Sequence, residues 1–164
     1  DRLLASEGKE LFNFWMFGGA LENQWKYMNL PDVVPMLGDA GAHVGFFTDT
    51  DSPTVLLSEL TRKHGVYTLP DAVHRISGKS AQIIGLKERG ELREGWHADI
   101  NVIDYENLST THAQYVNDFP HNGGRFVVKG IGYEATIVSG QVVTRNGEYT
   151  GNRPGSVIRD FIRG

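Results

Sequence analysis

The stretch Val33-Val34-Pro35-Met36-Leu37-Gly38-Asp39-Ala40-Gly41-Ala42-His43 predicts a strand that ends at an active-site loop. A short apolar run that stops at a glycine is typical of a buried strand in a parallel sheet. Ligands and catalysis in parallel α/β folds gather where the strands end, so Asp39 is a candidate for chemistry. The small residues after Asp39 leave room for a substrate, and His43 returns toward the same rim. The alternative is that Asp39 only caps a turn.

Length and composition limit the classes of protein that this chain can form. Its 164 residues suffice for one domain with a sizeable core, whereas a complete (β/α)₈ barrel typically needs about 250. Because the chain also begins at Asp1 rather than at methionine, we expect the C-terminal piece of a longer protein. The net charge of −4 and the scattered Lys and Arg argue against a nucleic-acid partner. No stretch approaches the roughly 18 apolar residues of a membrane span, and there is no cysteine.

The part of the chain before this stretch carries the weakest pattern. Its apolar spacing is irregular and is broken by Gly18-Gly19, although Leu21 to Met28 predicts a helix. Trp15, Phe17 and Trp25 could line a pocket, but aromatic residues at such spacing more often belong to a core.

Three helices are predicted after the strand. The first begins at Ser52-Pro53, with Ser52 as the N-cap, and ends at Gly65. The second begins with the capping-box spacing of Thr68-Leu69-Pro70-Asp71, and the third extends from Ser80 to Gly85. His74 lies off the apolar face and is expected in solvent. The residues expected to face inward are Leu56, Leu57 and Leu60, then Leu69, Ala72, Val73 and Ile76, and finally Ala81, Ile83 and Ile84.

From Gly90 onward the apolar period changes to two, which indicates β strands. Residues 100–104 alternate as in a half-exposed strand, with Ile100 and Val102 on one face, and Arg125 to Val128 begins another strand. Turn signals then divide the rest of the chain. Ser139-Gly140 predicts a two-residue hairpin, Asn146-Gly147 predicts the next tight turn, and Ser156 to Arg163 is expected to form a short helix.

Three blocks of this sequence resemble one enzyme family. The first is Gly38-Asp39-Ala40-Gly41-Ala42-His43-Val44-Gly45, and the second extends from Asp71 to Asp104. The third combines Asp118-Phe119-Pro120 with Gly123-Gly124-Arg125. In this order the blocks are similar to the amidohydrolase superfamily of metal-dependent hydrolases, and most similar to its D-aminoacylase (N-acyl-D-amino-acid deacylase) branch.

The resemblance implies a fold of the α/β class. The chain would be the C-terminal part of a (β/α)8 TIM-type metal-dependent hydrolase barrel plus most of a small β-sandwich domain. Residues 1–85 would form the last part of the barrel, with its final strand and outer helices. Residues 86–152 would form the small β-sandwich domain, and residues 153–164 a C-terminal tail.

The resemblance also implies roles for particular residues. Asp39 matches the family acid that contacts the metal centre and moves a proton between the attacking water and the leaving amine. His43 is a candidate substrate-binding residue, with a hydrogen bond to the backbone as the alternative. Arg125 could bind a substrate carboxylate, but a structural ion pair is the favoured role. The other histidines are dispersed and are assigned no role: His64, His74, His97, His112 and His121.

Zinc, as one or two divalent ions, is the cofactor that the resemblance implies, with Asp39 as a metal ligand. A zinc site needs several His or carboxylate ligands that converge on one point. The family takes most of them from a His-x-His pair and other residues that do not occur in this sequence. We therefore expect the parent protein to hold the metal, and this fragment alone to retain little metal and to be inactive.

The predicted function of the parent protein is hydrolysis of a non-peptide C–N (amide) bond. The small-molecule substrates would be N-acyl-D-amino acids. One alternative is a non-catalytic amidohydrolase-like scaffold or interaction protein, and another is an independent binding module formed by the β domain. The expected partners are the missing N-terminal part of the parent chain or a second copy, with no membrane. The expected location is the cytoplasm.

Overall fold

The computed structural model describes residues 1–7, 10, 21–35, 38, 40–45, 48 and 50–161. The chain divides into two compact units, Asp1–Val33 and Val34–Gly164. The first unit contains helices α1 (Arg2–Ala5) and α2 (Leu21–Met28), so the helix predicted over Leu21–Met28 is confirmed. Across the described ranges, every helix is too short or too polar for a membrane crossing.

The prediction of a buried strand is wrong for residues 33–35. Val33, Val34 and Pro35 belong to no helix or strand, and Val33 is 37% exposed. A strand needs neighbours for its backbone hydrogen bonds, and none of the strands in the described part of the chain pairs with this segment. Pro35 moreover has no N–H to donate. Met36 and Leu37 lie outside the described residues.

A helical stretch in the second unit begins close to its predicted start. Helix α3 covers Ser52–Val55 and continues into a π-helix over Leu56–Lys63. The N-cap is Asp51 rather than Ser52, which corrects the prediction by one residue. A proline is tolerated throughout the first turn, where its missing N–H is not needed, so Pro53 could not decide between the two starts. The predicted inward-facing leucines are confirmed, because Leu56, Leu57 and Leu60 are all buried.

The wider π-helical turn accommodates buried hydroxyl groups, a feature that the sequence pattern did not predict. Thr61 Oγ1 donates to the carbonyl of Leu56 at 2.8 Å, and Ser58 Oγ donates to the carbonyl of Thr54 at 2.8 Å. Each bond satisfies a polar atom that would otherwise be buried without a partner. Gly65, with φ of +63°, then ends the helix as predicted.

Helix α4 (Leu69–Ile76) begins as predicted, with the Thr68 hydroxyl accepting from the Asp71 amide at 3.3 Å. Helix α5 (Gly78–Ile83) begins before the predicted Ser80 and ends ahead of Gly85, whose φ is +73°. His74 is exposed, as predicted.

The predicted apolar faces of these two helices are wrong in part. Ala72 and Ala81 are buried, but four of the residues expected inside are exposed: Leu69, Val73, Ile83 and Ile84. The second buried residue of α4 is Arg75, whose guanidinium lies 4.9 Å from the Tyr67 ring centroid and pairs with Asp71 at 3.0 Å. Arg75 therefore lies on the buried side of α4 together with Ala72, whereas Val73 is exposed.

Short antiparallel strands make up the rest of the described chain. They form a four-stranded sheet in the order β1-β6-β7-β8 and two ribbons, β2-β5 and β3-β4. The strands are β1 (Ile100–Ile103), β2 (Ser109–Thr110), β3 (Gln114–Phe119), β4 (Gly123–Val127), β5 (Gly130–Ile131), β6 (Tyr133–Val138), β7 (Gln141–Arg145) and β8 (Glu148–Tyr149).

Both predicted tight turns are confirmed. Ser139 and Gly140 join β6 to β7 with φ of +46° and +78°. Asn146 and Gly147 join β7 to β8 with φ of +50° and +80°. Two successive left-handed residues match the right-handed twist of antiparallel strands.

The alternation predicted for residues 100–104 is wrong. Val102 is 40% exposed, whereas Ile103 is half-buried. The pairing of β1 with β6 shifts register between Val102 and Ile103, and such a bulge changes the face on which Ile103 lies. Near the predicted strand at Arg125–Val128, β4 begins at Gly123.

The helix predicted for the C-terminal tail is also wrong where the structure describes it. Residues 153–160 form neither helix nor strand, and Phe161 makes an antiparallel bridge with Leu86. Val157 is 79% exposed, so a helix here would bury too little apolar surface to be stable.

Arg62 connects the helices to the strands. Its Nη2 donates to the carbonyl of Leu108 at 2.8 Å, and its Nη1 donates to the carbonyl of Tyr105. Leu108 itself is fully buried at the same junction. The hydroxyls of Thr54 and Tyr133 add a hydrogen bond of 2.8 Å between α3 and β6.

The burial of Leu108 leads to a stability prediction. Replacing Leu108 with alanine should lower the free energy of unfolding by about 2–5 kcal/mol, because a cavity replaces its buried side chain. Leu92→Ala is the matched control, since Leu92 is 77% exposed. Urea unfolding monitored by circular dichroism would give the free energy of unfolding of both variants. Equal decreases in this free energy would contradict the assignment of Leu108 to the core.

Candidate functional site

The loop that contains the predicted site is described in part. Asp39 lies outside the described residues, whereas Gly38 and residues 40–45 are described. This loop forms turns, with Gly41 at φ of +86° and His43 at φ of +48°. A left-handed histidine is uncommon, and backbone conformations of this kind cluster at functional sites. The His43 side chain is exposed to solvent.

One backbone hydrogen bond holds this loop against a strand. The amide of Phe126 on β4 donates to the carbonyl of Val44 at 2.9 Å. The structure therefore brings the His43 loop and the β3-β4 ribbon together, which no spacing in the sequence indicated.

The ribbon presents an aromatic surface beside this contact. The rings of Tyr115 and Phe126 pack edge to face with their centroids 5.0 Å apart. Gly124 lies beneath the Tyr115 ring, where an added Cβ would come within 2.4 Å of the ring atoms. A side chain at position 124 would force Tyr115 to move, so the glycine permits the close packing of the ring on the strand.

Arg125 forms the ion pair that the sequence analysis favoured over a substrate contact. Its Nε donates to Asp118 Oδ1 at 2.9 Å and its Nη2 donates to Asp118 Oδ2 at 2.7 Å. These hydrogen bonds, together with the positive charge of Arg125, lower the pKa of the Asp118 carboxyl. The carboxylate in turn raises the pKa of Arg125. The pair thus favours the charged form of both groups.

A metal site does not form from the described residues alone. Among them, no three side chains of His, Cys, Asp or Glu come together as a group that could hold a metal ion. A catalytic zinc needs about three protein ligands, so these residues do not fit the implied zinc site on their own. We assign no chemical step to a metal here.

The aromatic residues considered for a pocket are only partly described. Trp15 and Phe17 lie outside the described residues, and Trp25 on α2 is half-buried. A cleft of about 420 Å³ instead lies between β5, β6 and the turn before β8, with Asp104, Lys129 and Asn146 among its lining residues. A side-chain hydrogen bond from Asn107 lowers the pKa of Asp104. The sequence analysis had not identified this cleft.

A profile of the amidohydrolase family matches residues 25–144, which is most of the chain and includes both Asp39 and His43. The chain therefore belongs to the amidohydrolase family.

Individual relatives refine this assignment. N-acyl-D-aspartate deacylase of Alcaligenes xylosoxydans xylosoxydans is 35% identical over 106 residues, which is 64% of this chain and 19% of the relative. Dihydroorotase of Lactobacillus acidophilus is 30% identical over 115 residues, which is 67% of this chain and 26% of the relative. The chain thus spans only a fifth to a quarter of their lengths. The family match and the deacylase confirm the resemblance to D-aminoacylase-like amidohydrolases.

Solved structures of D-aminoacylase are also similar to this chain. The crystal structure that defines a novel subset of amidohydrolases matches with a TM-score of 0.49 and 28% identity, over 61% of this chain and 19% of that one. A structure from a study of the binuclear metal center of D-aminoacylase matches with the same values.

The Asp118–Arg125 pair predicts a pH response. Because the pKa of Asp118 is lowered in the folded state, the stabilisation by the pair should be complete above the unfolded carboxyl pKa. It should be lost as the pH falls through the lowered value. In an Arg125→Met variant, an NMR titration should show the pKa of Asp118 rising toward its ordinary value.

Asp104 provides the internal control for this titration. Its pKa is lowered chiefly by Asn107 and should not move in the Arg125→Met variant. An unchanged Asp118 pKa, or an equal shift in Asp104, would contradict the assignment of the shift to Arg125.

Proposed function

We propose that this chain belongs to a metal-dependent amidohydrolase that hydrolyses a non-peptide C–N (amide) bond, with N-acyl-D-amino acids as the substrate class. The observation that carries the proposal is the family match over residues 25–144, which includes the Gly38–Gly45 block. The similarity to an N-acyl-D-aspartate deacylase supports this choice of substrate class. On its own the chain is proposed to be inactive, because the family's other metal ligands would come from residues that this sequence does not contain.

Asp39 is the residue we propose as the acid/base of this reaction and as one metal ligand. Its carboxylate would take a proton from the attacking water and return it to the leaving amine. His43 is proposed to bind substrate, and its exposure and left-handed backbone in the loop that follows Asp39 support that role. One or two divalent ions, with zinc as the proposed metal, would supply a Lewis acid when bound.

The fold of the whole protein is part of the same proposal. Residues 1–85 would contribute the last part of a (β/α)₈ barrel, and residues 86–152 most of a small β-sandwich domain. Residues 153–164 would form the tail. The order of helices followed by antiparallel strands supports this division. The cytoplasmic location stays a prediction.

Loss of the proposed acid/base defines the principal test. In the whole protein, Asp39→Asn keeps the shape of the side chain but removes a base, so turnover should fall by about 10² or more. Asp32→Asn is the matched control, because Asp32 is an exposed aspartate nearby in the sequence. Steady-state hydrolysis of an N-acetyl-D-amino acid is the measurement.

Metal analysis completes the test. Zinc content should fall only partly in Asp39→Asn, because the other ligands are proposed to lie elsewhere in the whole protein. Removal of the metal by a chelator should abolish turnover, and added zinc should restore it. Near-normal turnover in Asp39→Asn would contradict the catalytic assignment. An inactive wild-type protein with no bound metal would favour the alternative of a non-catalytic scaffold.

We also propose that the chain pairs with itself or with the rest of its parent protein. Ile83 is 55% exposed and Ile84 is 47% exposed, and Val73 on α4 is exposed as well. Burying such side chains contributes about 1.5–3 kcal/mol each, which favours a covering partner.

Association should be visible by sedimentation at micromolar concentration. The chain should sediment as a dimer or larger species, and Ile83→Lys should shift it toward the monomer. Gln82→Lys is the matched control, since Gln82 is an exposed polar residue on the same helix. A compact wild-type monomer under these conditions would contradict the proposal.

A further inference from the structure

The carbonyl of Val44 is the point at which the His43 loop is attached to a strand. It accepts the hydrogen bond from the amide of Phe126 at 2.9 Å. Val44 follows His43 directly in the chain, and His43 holds a left-handed backbone conformation. Only the backbone of Val44 separates this hydrogen bond from His43. A displacement of the Phe126 amide would therefore also move His43.

The position of Phe126 depends in turn on the register of the β3-β4 ribbon. Val116 pairs with Arg125 and Phe119 pairs with Gly123, so the register shifts between these pairs. Asp118 lies within this irregular part of β3, where the ladder of backbone hydrogen bonds is interrupted. A side-chain interaction between the two strands can therefore help to fix their register there.

The bidentate ion pair supplies that interaction. Arg125 on β4 binds both carboxylate oxygens of Asp118 on β3, and its guanidinium also lies 5.3 Å from the Phe119 ring centroid. A planar two-point contact defines the relative position of the strands more strictly than a single hydrogen bond. Arg125 immediately precedes Phe126, so the pair acts next to the amide that binds the loop.

We propose that Asp118 and Arg125 are positioning residues that hold the His43 loop through the Phe126–Val44 hydrogen bond. This inference rests on the proposed function, because it takes His43 to be a substrate-binding residue. It adds a role to a pair of residues that do not touch substrate.

The exposure of the pair limits the size of the effect. The side chains of Arg125 and Asp118 are 38% and 47% exposed. An exposed ion pair contributes little, so its coupling to the loop should change kcat/KM by about two- to fivefold. An arginine that bound the substrate carboxylate directly would cost more than about tenfold when removed. A positioning role and a substrate-binding role for Arg125 therefore predict losses of kcat/KM of different size. They also predict different effects of the Asp118 variant.

The kinetic experiment uses the whole protein and N-acetyl-D-aspartate. Asp118→Asn and Arg125→Met should each lower kcat/KM by about two- to fivefold, and the double variant should lose no more than either single variant. The exchanged pair Asp118→Arg/Arg125→Asp should recover most of the loss. Glu59→Gln is the matched control, because it removes an exposed ion pair with Lys63 that lies within the π-helix over Leu56–Lys63. A loss above tenfold in Arg125→Met with none in Asp118→Asn would overturn the proposal in favour of substrate binding.

Hydrogen exchange provides a readout that does not need activity. In this chain, exchange of the Phe126 amide should be about two- to fivefold faster in Asp118→Asn and in Arg125→Met, and unchanged in Glu59→Gln. The His43 imidazole resonances should shift in the same two variants. Unchanged exchange and unchanged His43 resonances would overturn the proposal. An inactive wild-type protein with these expected changes would refute the proposed function while supporting the link between the pair and the loop.

Discussion

Arg62 connects the helices of this chain to its strands through backbone carbonyls. The carbonyls of Tyr105 and Leu108 lie in the turn before β2, where neither is assigned to a strand. One guanidinium with several donors in a plane bonds to both carbonyls, and the Tyr105 carbonyl also accepts from the amide of Leu108 at 3.4 Å. Beside it, Leu108 is buried completely. Because β6 pairs with β1 and β7 and bonds to α3 through Tyr133, the position of the main sheet relative to the helices depends on this junction.

The candidate site depends on a second long-range contact, between the His43 loop and the β3-β4 ribbon. The hydrogen bond from Phe126 to Val44 brings strand β4 against the loop. The ion pair between Asp118 and Arg125 is exposed, and exposed pairs usually contribute little. Its proposed role is to position the loop through this contact.

Predictions that needed only neighbouring residues were the most successful. The turns at Ser139-Gly140 and Asn146-Gly147 require left-handed backbone conformations, which are intrinsic to those residue types. The Thr68 cap likewise depends on a hydroxyl and an amide within one turn of helix. The family assignment was confirmed for a related reason. The blocks that resemble the family are continuous stretches of sequence in a fixed order, so they can be recognised without knowledge of tertiary contacts.

The sequence by itself determined the turns, the starts of α2 and α4, the three leucines buried between Leu56 and Leu60 and the family. Tertiary structure decided which faces of α4 and α5 are covered, because burial depends on the neighbour that a helix meets. Arg75 is buried against Tyr67, whereas Val73 is exposed. It also decided the register shift after Val102, which changes the face on which Ile103 lies, since a bulge arises from pairing with β6. Tertiary structure also decided the contact between the β3-β4 ribbon and the His43 loop. Residues 44 and 126 are far apart in the chain, and only folding brings them within hydrogen-bonding distance.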